Sequence, residues 1–145
     1  MSVRMAFVLL AAAAFGLVAG GLTAIYSAVE IARWLGATRP TQLSLAPKSV
    51  TTPIAMGIAE QIGGIPSLAA VIVIVTGILG AVAARSVLDI CRIKDDAVRG
   101  FAIGISSHGI GTARAFLINE QTGAFAALAM GLNGILTALI VPWII

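Results

Sequence analysis

Residues 100–114 read Gly-Phe-Ala-Ile-Gly-Ile-Ser-Ser-His-Gly-Ile-Gly-Thr-Ala-Arg, and this stretch decides how the chain must fold. Residues 100–113 carry no Lys, Arg, Asp or Glu, so the segment is apolar enough to enter a membrane. Gly109 and Gly111 flank Ile110, and glycine destabilises a helix interior by roughly 0.5–1 kcal/mol relative to alanine. The stretch therefore predicts a helix that is interrupted within Ser106–Thr112.

The composition of the whole chain places it in a membrane. Of 145 residues, 59% are hydrophobic and only 10% are charged, and the mean hydropathy is +1.06. Soluble domains carry about 25% charged residues, so this chain lacks the polar side chains that cover a water-exposed surface. Ordinary cytosolic enzymes and nucleic-acid-binding modules are therefore excluded.

The charged and metal-binding residues exclude further classes. The net charge of +3 comes from basic residues in the gaps between apolar runs, which is typical of membrane flanks and not of a nucleic-acid-binding face. One cysteine, Cys91, and one histidine, His108, exclude a disulfide framework and a Cys/His metal site of recognisable spacing. We expect no metal, no cofactor and no nucleic-acid partner.

Three apolar runs are long enough to span a membrane, which needs about 20 residues per helix. We predict full spans at roughly 5–33, 67–84 and 121–145. Gly16 and Gly20 in the first span form a small-xxx-small pair, a pattern that lets another helix approach closely.

Two shorter segments are predicted to be half-helices. Residues 49–59 are uncharged but too short to span, and Thr51 or Thr52 followed by Pro53 indicates a helix start. The second is the interrupted stretch quoted above. We expect an extramembrane loop at 34–48 and a polar connector at 85–99. The predicted fold is an all-α, multi-pass membrane protein with three full spans and two interrupted segments, forming one domain over residues 1–145.

Two pairs of residues weakly indicate an internal repeat. Glu60-Gln61 and Glu120-Gln121 each follow an interrupted segment and precede a full span. Corresponding interrupted segments in two repeats are typical of transporter binding sites.

The orientation in the membrane depends on residues 49–61. If residues 49–61 cross the membrane with their neighbour, the basic loops at 34–48 and 85–99 share one side. If they re-enter, the loops lie on opposite sides. We place the larger cluster, at 85–99, in the cytoplasm.

Ionisable groups beside the interruptions are candidates for function, because a charge at the centre of a membrane costs about 2.5–3.5 kcal/mol on insertion scales. The candidates are Glu60, His108, Arg114 and Glu120. Structural alternatives stay open for each of them. The glutamates can end helices at the interface, Arg114 can reach the interface from an apolar helix, and His108 can serve as a hydrogen-bonding residue.

The starts of broken helices favour an anionic ligand. Main-chain N–H groups freed at a half-helix N-terminus form an anion site, which the helix dipole strengthens. Such groups lie around Thr51–Ile54 and Ile110–Thr112. Arg114 adds a guanidinium that suits a carboxylate, on a helical face shared with Ser107 and Gly111. A small organic anion is therefore the predicted ligand. The candidates for carrying a coupling proton are Glu60, Glu120 and His108.

We do not expect an enzyme. Ser106, Ser107 and His108 are adjacent in sequence, which is not the geometry of a nucleophile and its base. No acidic residue is placed to orient the histidine.

Five regions of the chain carry a family resemblance. They are Pro47-Lys-Ser-Val-Thr-Thr-Pro-Ile-Ala55, Gly63-Gly-Ile-Pro66, Thr76-Gly-Ile-Leu-Gly-Ala81, Ser107-His-Gly-Ile-Gly-Thr-Ala-Arg-Ala115, and Gly123-Ala-Phe125 with Leu128-Ala-Met-Gly-Leu-Asn-Gly-Ile135. In this order and at about this spacing, they resemble the LrgB/CidB family of antiholin-like membrane proteins. The resemblance extends from near Phe7 to the end of the chain.

The resemblance implies a function and a set of site residues. Family members are named antiholin-like from a proposed role in controlling murein hydrolase export and autolysis, and they usually work beside a small holin-like LrgA/CidA membrane protein. Related bacterial and plastid proteins move pyruvate, or glycolate and glycerate. Carried over by motif, the substrate-binding residues are Lys48, Ser49, Thr51, Thr52, His108, Gly109, Gly111, Thr112 and Arg114.

The chain departs from the family in two respects. It resembles only the C-terminal part of a longer member, and Ala83-Ala84-Arg85 stands where the family often has Gly-Pro. Two hypotheses follow. One is a transporter of a small carboxylate of the pyruvate or glycolate class in the cell (inner) membrane. The other is a non-transporting regulatory subunit of a holin-like LrgA/CidA-type complex. The expected partners are membrane lipid, the carboxylate and the holin-type protein, with self-association into a homo-oligomer left open.

Overall fold

The computed structural model describes residues 2–145, apart from the side chain of Ala6, and this part of the chain contains helices and turns but no strand. The helices are α1 (Val3–Trp34), α2 (Arg39–Leu45), α3 (Thr52–Ile62), α4 (Pro66–Ile90), α5 (Asp96–Phe116) and α6 (Glu120–Ile144). Helices α1, α4 and α6 are long and apolar enough to cross a membrane. The predicted all-α class with three apolar spans is confirmed.

Helix α4 extends beyond the predicted span. The predicted connector at 85–99 is wrong, because residues 85–90 continue the helix and residues 96–99 already belong to α5. Arg85 and Asp89 lie one turn apart, with 3.8 Å between Nε and Oδ2. Such i,i+4 pairs favour helix over loop. Asp95 caps the next helix by accepting a hydrogen bond from the Val98 N–H at 2.9 Å.

The predicted loop at 34–48 is also wrong, since it contains α2. Pro40 occupies the first turn of α2, where a proline is well tolerated. The Ser44 hydroxyl is fully buried; it donates to the Pro40 carbonyl at 2.7 Å and accepts from the Ile65 N–H at 2.8 Å. The segment is therefore packed against the start of α4.

Helix α5 turns back on itself at His108, whose φ of 40° and ψ of −135° are not helical. Gly100 lies against the main chain of Thr122, and the Phe116 ring lies against Gly123. In a continuous helix Gly100 and Phe116 would be about 24 Å apart, yet both contact the first turn of α6. We call residues 96–116 the second hairpin, with its tip at His108.

Residues 39–62 form a comparable first hairpin. Leu43 and Ser44, before the tip of this hairpin, lie beside Gly64, which follows its second helix. Consecutive turns at residues 45–50 form the tip, where Val50 N–H bonds to the Pro47 carbonyl at 3.3 Å. The chain then returns along α3, which has 11 residues.

The two hairpins enter from opposite ends of the molecule. Arg39 Nη2 donates to the Ile145 carbonyl at 3.0 Å, so the first hairpin starts where α6 ends, which we call the Arg39 end. The second hairpin starts and finishes where α6 begins, which we call the Arg114 end. Each hairpin precedes a 25-residue helix. This order of elements is the one that an inverted repeat produces, and it places the two basic clusters at opposite ends.

Glycines allow the second hairpin to approach α6 closely. A side chain at Gly100 or Gly104 would collide with the main chain of Thr122 or Ala126, respectively. The predicted pair on α1 behaves differently. A Cβ at Gly20 would lie 3.6 Å from Ile105, whereas one at Gly16 would meet nothing within 4 Å in the described part of the chain.

Candidate functional site

The tips of the two hairpins meet beside Asn133, in the middle of α6. The Asn133 side chain is 1% exposed. Its Nδ2 donates to the Ser49 carbonyl at 3.1 Å and to the Ile105 carbonyl at 3.2 Å. One side chain thus satisfies carbonyl groups from both hairpins, which irregular backbone at membrane depth requires.

His108 fixes the tip of the second hairpin against α4. Its ring Nε2 lies 2.8 Å from the Val73 carbonyl oxygen, and the residue is buried. Gly77 makes room for the ring, because a Cβ there would lie 2.6 Å from the His108 Cε1. The His108 carbonyl in turn accepts a hydrogen bond from the Thr112 hydroxyl at 2.7 Å. The strained backbone at His108 is held by contacts on both sides, as is common at functional sites.

Lys48 brings a positive charge to the tip of the first hairpin. Its Nζ donates to the Ser49 hydroxyl at 3.3 Å, beside the Ser49 carbonyl to which Asn133 donates. Lys48 is only partly exposed, whereas the cations of the two molecular ends are mostly exposed. The tip region therefore contains a basic side chain that is partly shielded from solvent.

The N-termini of two helical segments directly follow the two tips. Thr51 is the N-cap of α3, as predicted, and its side chain makes no capping hydrogen bond within the described residues. The first helical N–H that bonds in α3 is that of Ala55, to the Thr51 carbonyl at 2.9 Å. The N–H groups before Ala55 have no partner within their own helix. The second helical segment consists of residues 109–116 and begins directly after His108.

Both starts lie along one face of α6. Thr112 Oγ1 is 3.8 Å from Met130 Sδ, and Ile54 lies against Gly134. Met130 and Gly134 are one helical turn apart. Helix dipoles place partial positive charge at both starts, so the junction of the two tips suits a small anion. The predicted residues that lie in the two tips or in the first turn of the helical segment after each tip are Lys48, Ser49, Thr51, Thr52, His108, Gly109, Gly111 and Thr112.

Arg114 does not join this group. It is exposed at the Arg114 end, in a crevice with Arg85 and Lys94. The prediction that Ser107, Gly111 and Arg114 share one helical face requires a continuous helix. It is wrong, because it places Arg114 beside Ser107. Because the chain reverses at His108, Ser107 lies on the first leg and packs on Gly111, whereas Arg114 lies near the base of the second leg, away from Ser107.

Glu60 and Glu120 also lie away from the tips. Glu60 is exposed near the end of α3, and Glu120 is exposed at the first position of α6. The structure therefore places the two glutamates towards opposite ends of the molecule. His108 is the one predicted proton-carrying residue that the structure places at the junction.

Asn133 and Val73 belong to the junction but are not among the predicted site residues. Asn133 carries a usable signal, because it is an amide within an otherwise apolar span. Val73 contributes only its carbonyl group, for which a side chain gives no signal. Within residues 2–145 no group of three or more His, Cys, Asp or Glu residues could hold a metal ion.

These features define an all-helical membrane protein in which two helical hairpins meet beside a spanning helix. The chain belongs to the LrgB-like family, whose model matches residues 5–145.

Relatives of this chain include proteins from several bacteria. It is 40% identical to the uncharacterized protein YwbG of Bacillus subtilis, over 87% of this chain and 56% of that protein. An uncharacterized protein of Haemophilus influenzae is 32% identical, over 83% of this chain and 52% of that protein. The holin-like protein CidB of Staphylococcus epidermidis is 27% identical, over 76% of this chain and 48% of CidB.

The chain thus spans about half the length of the curated relatives it matches. No solved structure matches it.

Proposed function

We propose that this chain forms the substrate-binding part of a membrane transporter for small carboxylates, of the pyruvate or glycolate class. The observation that carries the proposal is the pair of hydrogen bonds from Asn133 to Ser49 and Ile105. These bonds hold together two helix N-termini and the Lys48 ammonium.

The chemistry of the junction suits a carboxylate. Lys48 supplies the compensating charge, and the free N–H groups at the starts of α3 and of residues 109–116 supply hydrogen-bond donors. The hydroxyl groups of Ser49, Thr51 and Thr52 add further donors on the first hairpin. A charge-assisted hydrogen bond is roughly twice as strong as a neutral one, so an anion is favoured over a neutral analogue.

The proposal extends to location and coupling. Helices α1, α4 and α6 cross the cell (inner) membrane, and residues 1–145 form one integral membrane domain. His108 carries the coupling proton, since it lies at the junction. Glu60 and Glu120, near the two ends of the molecule, bind the coupling proton before it reaches His108 and after it leaves His108.

Uptake into proteoliposomes tests the proposal. Labelled pyruvate and glycolate should accumulate above the level of empty vesicles. Lys48→Met should lower uptake towards that level, while Lys48→Arg should retain part of it because the charge is kept. Arg33→Gln, at an exposed helix end, is the matched control and should behave as the native chain. Native uptake equal to that of empty vesicles would contradict the proposal.

A second candidate function is a non-transporting subunit of a holin-type complex. It is favoured by the holin-like naming of the CidB relatives and by the apolar outer surface of α1, where Phe7, Leu10 and Phe15 are each more than 70% exposed. Co-purification with an LrgA/CidA-like protein, combined with uptake no higher than in empty vesicles, would favour this role. Crosslinking of the purified chain in detergent would show whether it also self-associates.

A further inference from the structure

A crevice of about 820 Å³ opens at the Arg114 end, between α4 and the two legs of the second hairpin. Its lining includes none of the junction residues Lys48, His108 and Asn133, and the proposed transport does not use it. Its charged lining comprises Arg85, Lys94, Arg99, Arg114, Asp89 and Asp96. Four cations face two anions, so the crevice carries a net positive charge.

The basic residues of the crevice differ in whether they form ion pairs within the protein. Arg99 is fixed in the wall, because its Nη1 lies 2.7 Å from Asp89 Oδ1 and 2.9 Å from the Ile93 carbonyl, and its side chain is 13% exposed. Arg85 shares the same Asp89. Lys94 and Arg114 form no ion pair within residues 2–145. These two residues have their charges free for a ligand.

The remaining wall of the crevice is apolar and faces outward. Val82 on α4 and Leu117 at the end of the second hairpin are each 76% exposed, and Ile118 is 48% exposed. Because α4 is a membrane-spanning helix, Val82 lies towards the bilayer and the basic residues lie towards its surface. A free, soluble anion would gain nothing from this apolar wall.

We propose that the crevice is a binding site for an anionic phospholipid. The phosphodiester group binds Lys94 and Arg114 at the rim, and an acyl chain lies along Val82, Leu117 and Ile118. Basic crevices between helices at the membrane surface suit anionic headgroups, and guanidinium groups match phosphate oxygens. The bound lipid contacts α4 and both legs of the second hairpin at once, so it holds the hairpin's base in place.

The single cysteine of the chain provides the probe. Cys91 is exposed and directly follows α4, three positions before Lys94. The whole chain is labelled there with bimane and reconstituted in phosphatidylcholine vesicles. Phosphatidylglycerol or phosphatidylcholine that carries a nitroxide near the top of its acyl chain is then titrated into separate samples over the same range of fractions. The label should be quenched at several-fold lower fractions of the phosphatidylglycerol probe.

Variants identify the site. Lys94→Gln and Arg114→Gln should each weaken the preference about fivefold, the value expected for one basic residue at a membrane surface. The matched controls are Arg33→Gln and Arg39→Gln at the Arg39 end, which should leave the preference unchanged. A thermal melt in detergent shows that each variant is folded.

Two results would overturn the proposal. The first is equal quenching of the native chain by both lipid probes. The second is loss of the preference in excess soluble glycerol phosphate, which would show that the phosphate alone is recognised and that the apolar wall is not used. Persistence of the preference in glycerol phosphate supports a lipid ligand.

Discussion

The side-chain nitrogen of Asn133 lies 3.1 Å from the main-chain oxygen of Ser49, 84 residues earlier in the chain. This hydrogen bond joins a spanning helix to the tip of a hairpin that enters from the Arg39 end. The same nitrogen also bonds to Ile105 in the hairpin that enters from the Arg114 end. The proposed carboxylate site depends on this one amide.

Asn133→Asp should disrupt the site with little change in side-chain size. A carboxyl group buried there is either ionised, with no donor, or protonated, with a single donor, so at least one of the buried Ser49 and Ile105 carbonyls would lose its partner, at a cost of about 1–3 kcal/mol. We expect a lower melting temperature in detergent and carboxylate uptake close to that of empty vesicles. Gln121→Glu makes the same chemical change at an exposed position of the same helix, and it should alter neither quantity. Native-like uptake by Asn133→Asp would contradict the role of Asn133.

Gly104→Ala should destabilise the protein. The added Cβ would collide with the main chain of Ala126, and forcing extra atoms into a packed contact costs about 1–3 kcal/mol. Gly131→Ala is the control, since a Cβ there meets nothing within 4 Å in the described residues. That change should be neutral or should stabilise α6 by up to about 1 kcal/mol, because alanine favours helix. Unfolding of both variants in a denaturing detergent compares them, and equal stability would refute the close contact.

The strained backbone of His108 can be tested by comparing two truncations. His108→Ala and His108→Gly both remove the ring that bonds to the Val73 carbonyl. They differ in the backbone, because only glycine adopts a φ of 40° without strain. His108→Gly should therefore be the more stable of the two by about 1–2 kcal/mol. A more stable alanine variant would show that the chain does not keep this turn.

The Arg114 end should face the cytoplasm. It holds the cluster of Arg85, Arg92, Lys94, Arg99 and Arg114, and Arg4 at the start of α1 lies on the same side, whereas the Arg39 end holds Arg33 and Arg39. Basic residues near helix ends accumulate on the cytoplasmic side. A membrane-impermeant maleimide should therefore label Cys91 in inside-out vesicles and not in intact cells. Labelling from outside intact cells would reverse the orientation.

The sequence predicts the spans well because each is a long apolar run, and a membrane admits little else. The helix start at Thr51 also follows from local residues, since Pro53 and a threonine cap act within one turn. Residues 85–90 and 39–45 belong to stretches that the sequence predicts as a polar connector and an extramembrane loop, because they contain charged residues and prolines. Pairing of Arg85 with Asp89 one turn later and burial of Ser44 against Ile65 are both compatible with helix, and local sequence does not reveal them.

The reversal at His108 lies beyond what the sequence can establish. Gly109 and Gly111 indicate an interruption, but an interrupted segment can cross the membrane or return. The direction depends on packing of Gly100 and Phe116 against the same turn of α6, which is a long-range contact. Arg114 is incorrectly grouped with the residues of the junction for the same reason, because the sequence does not reveal the reversal at His108.

The distance between the two ends of α5 tests the central claim most directly. Val98→Cys and Leu117→Cys, both at exposed positions, are spin-labelled in a Cys91→Ser background, and their separation is measured by electron paramagnetic resonance. A hairpin with its tip at His108 brings the labels within roughly 10–20 Å, since packed helices lie about 8–10 Å apart. A continuous helix would separate the two positions by about 28 Å, and a distribution centred there would contradict the meeting of the two tips.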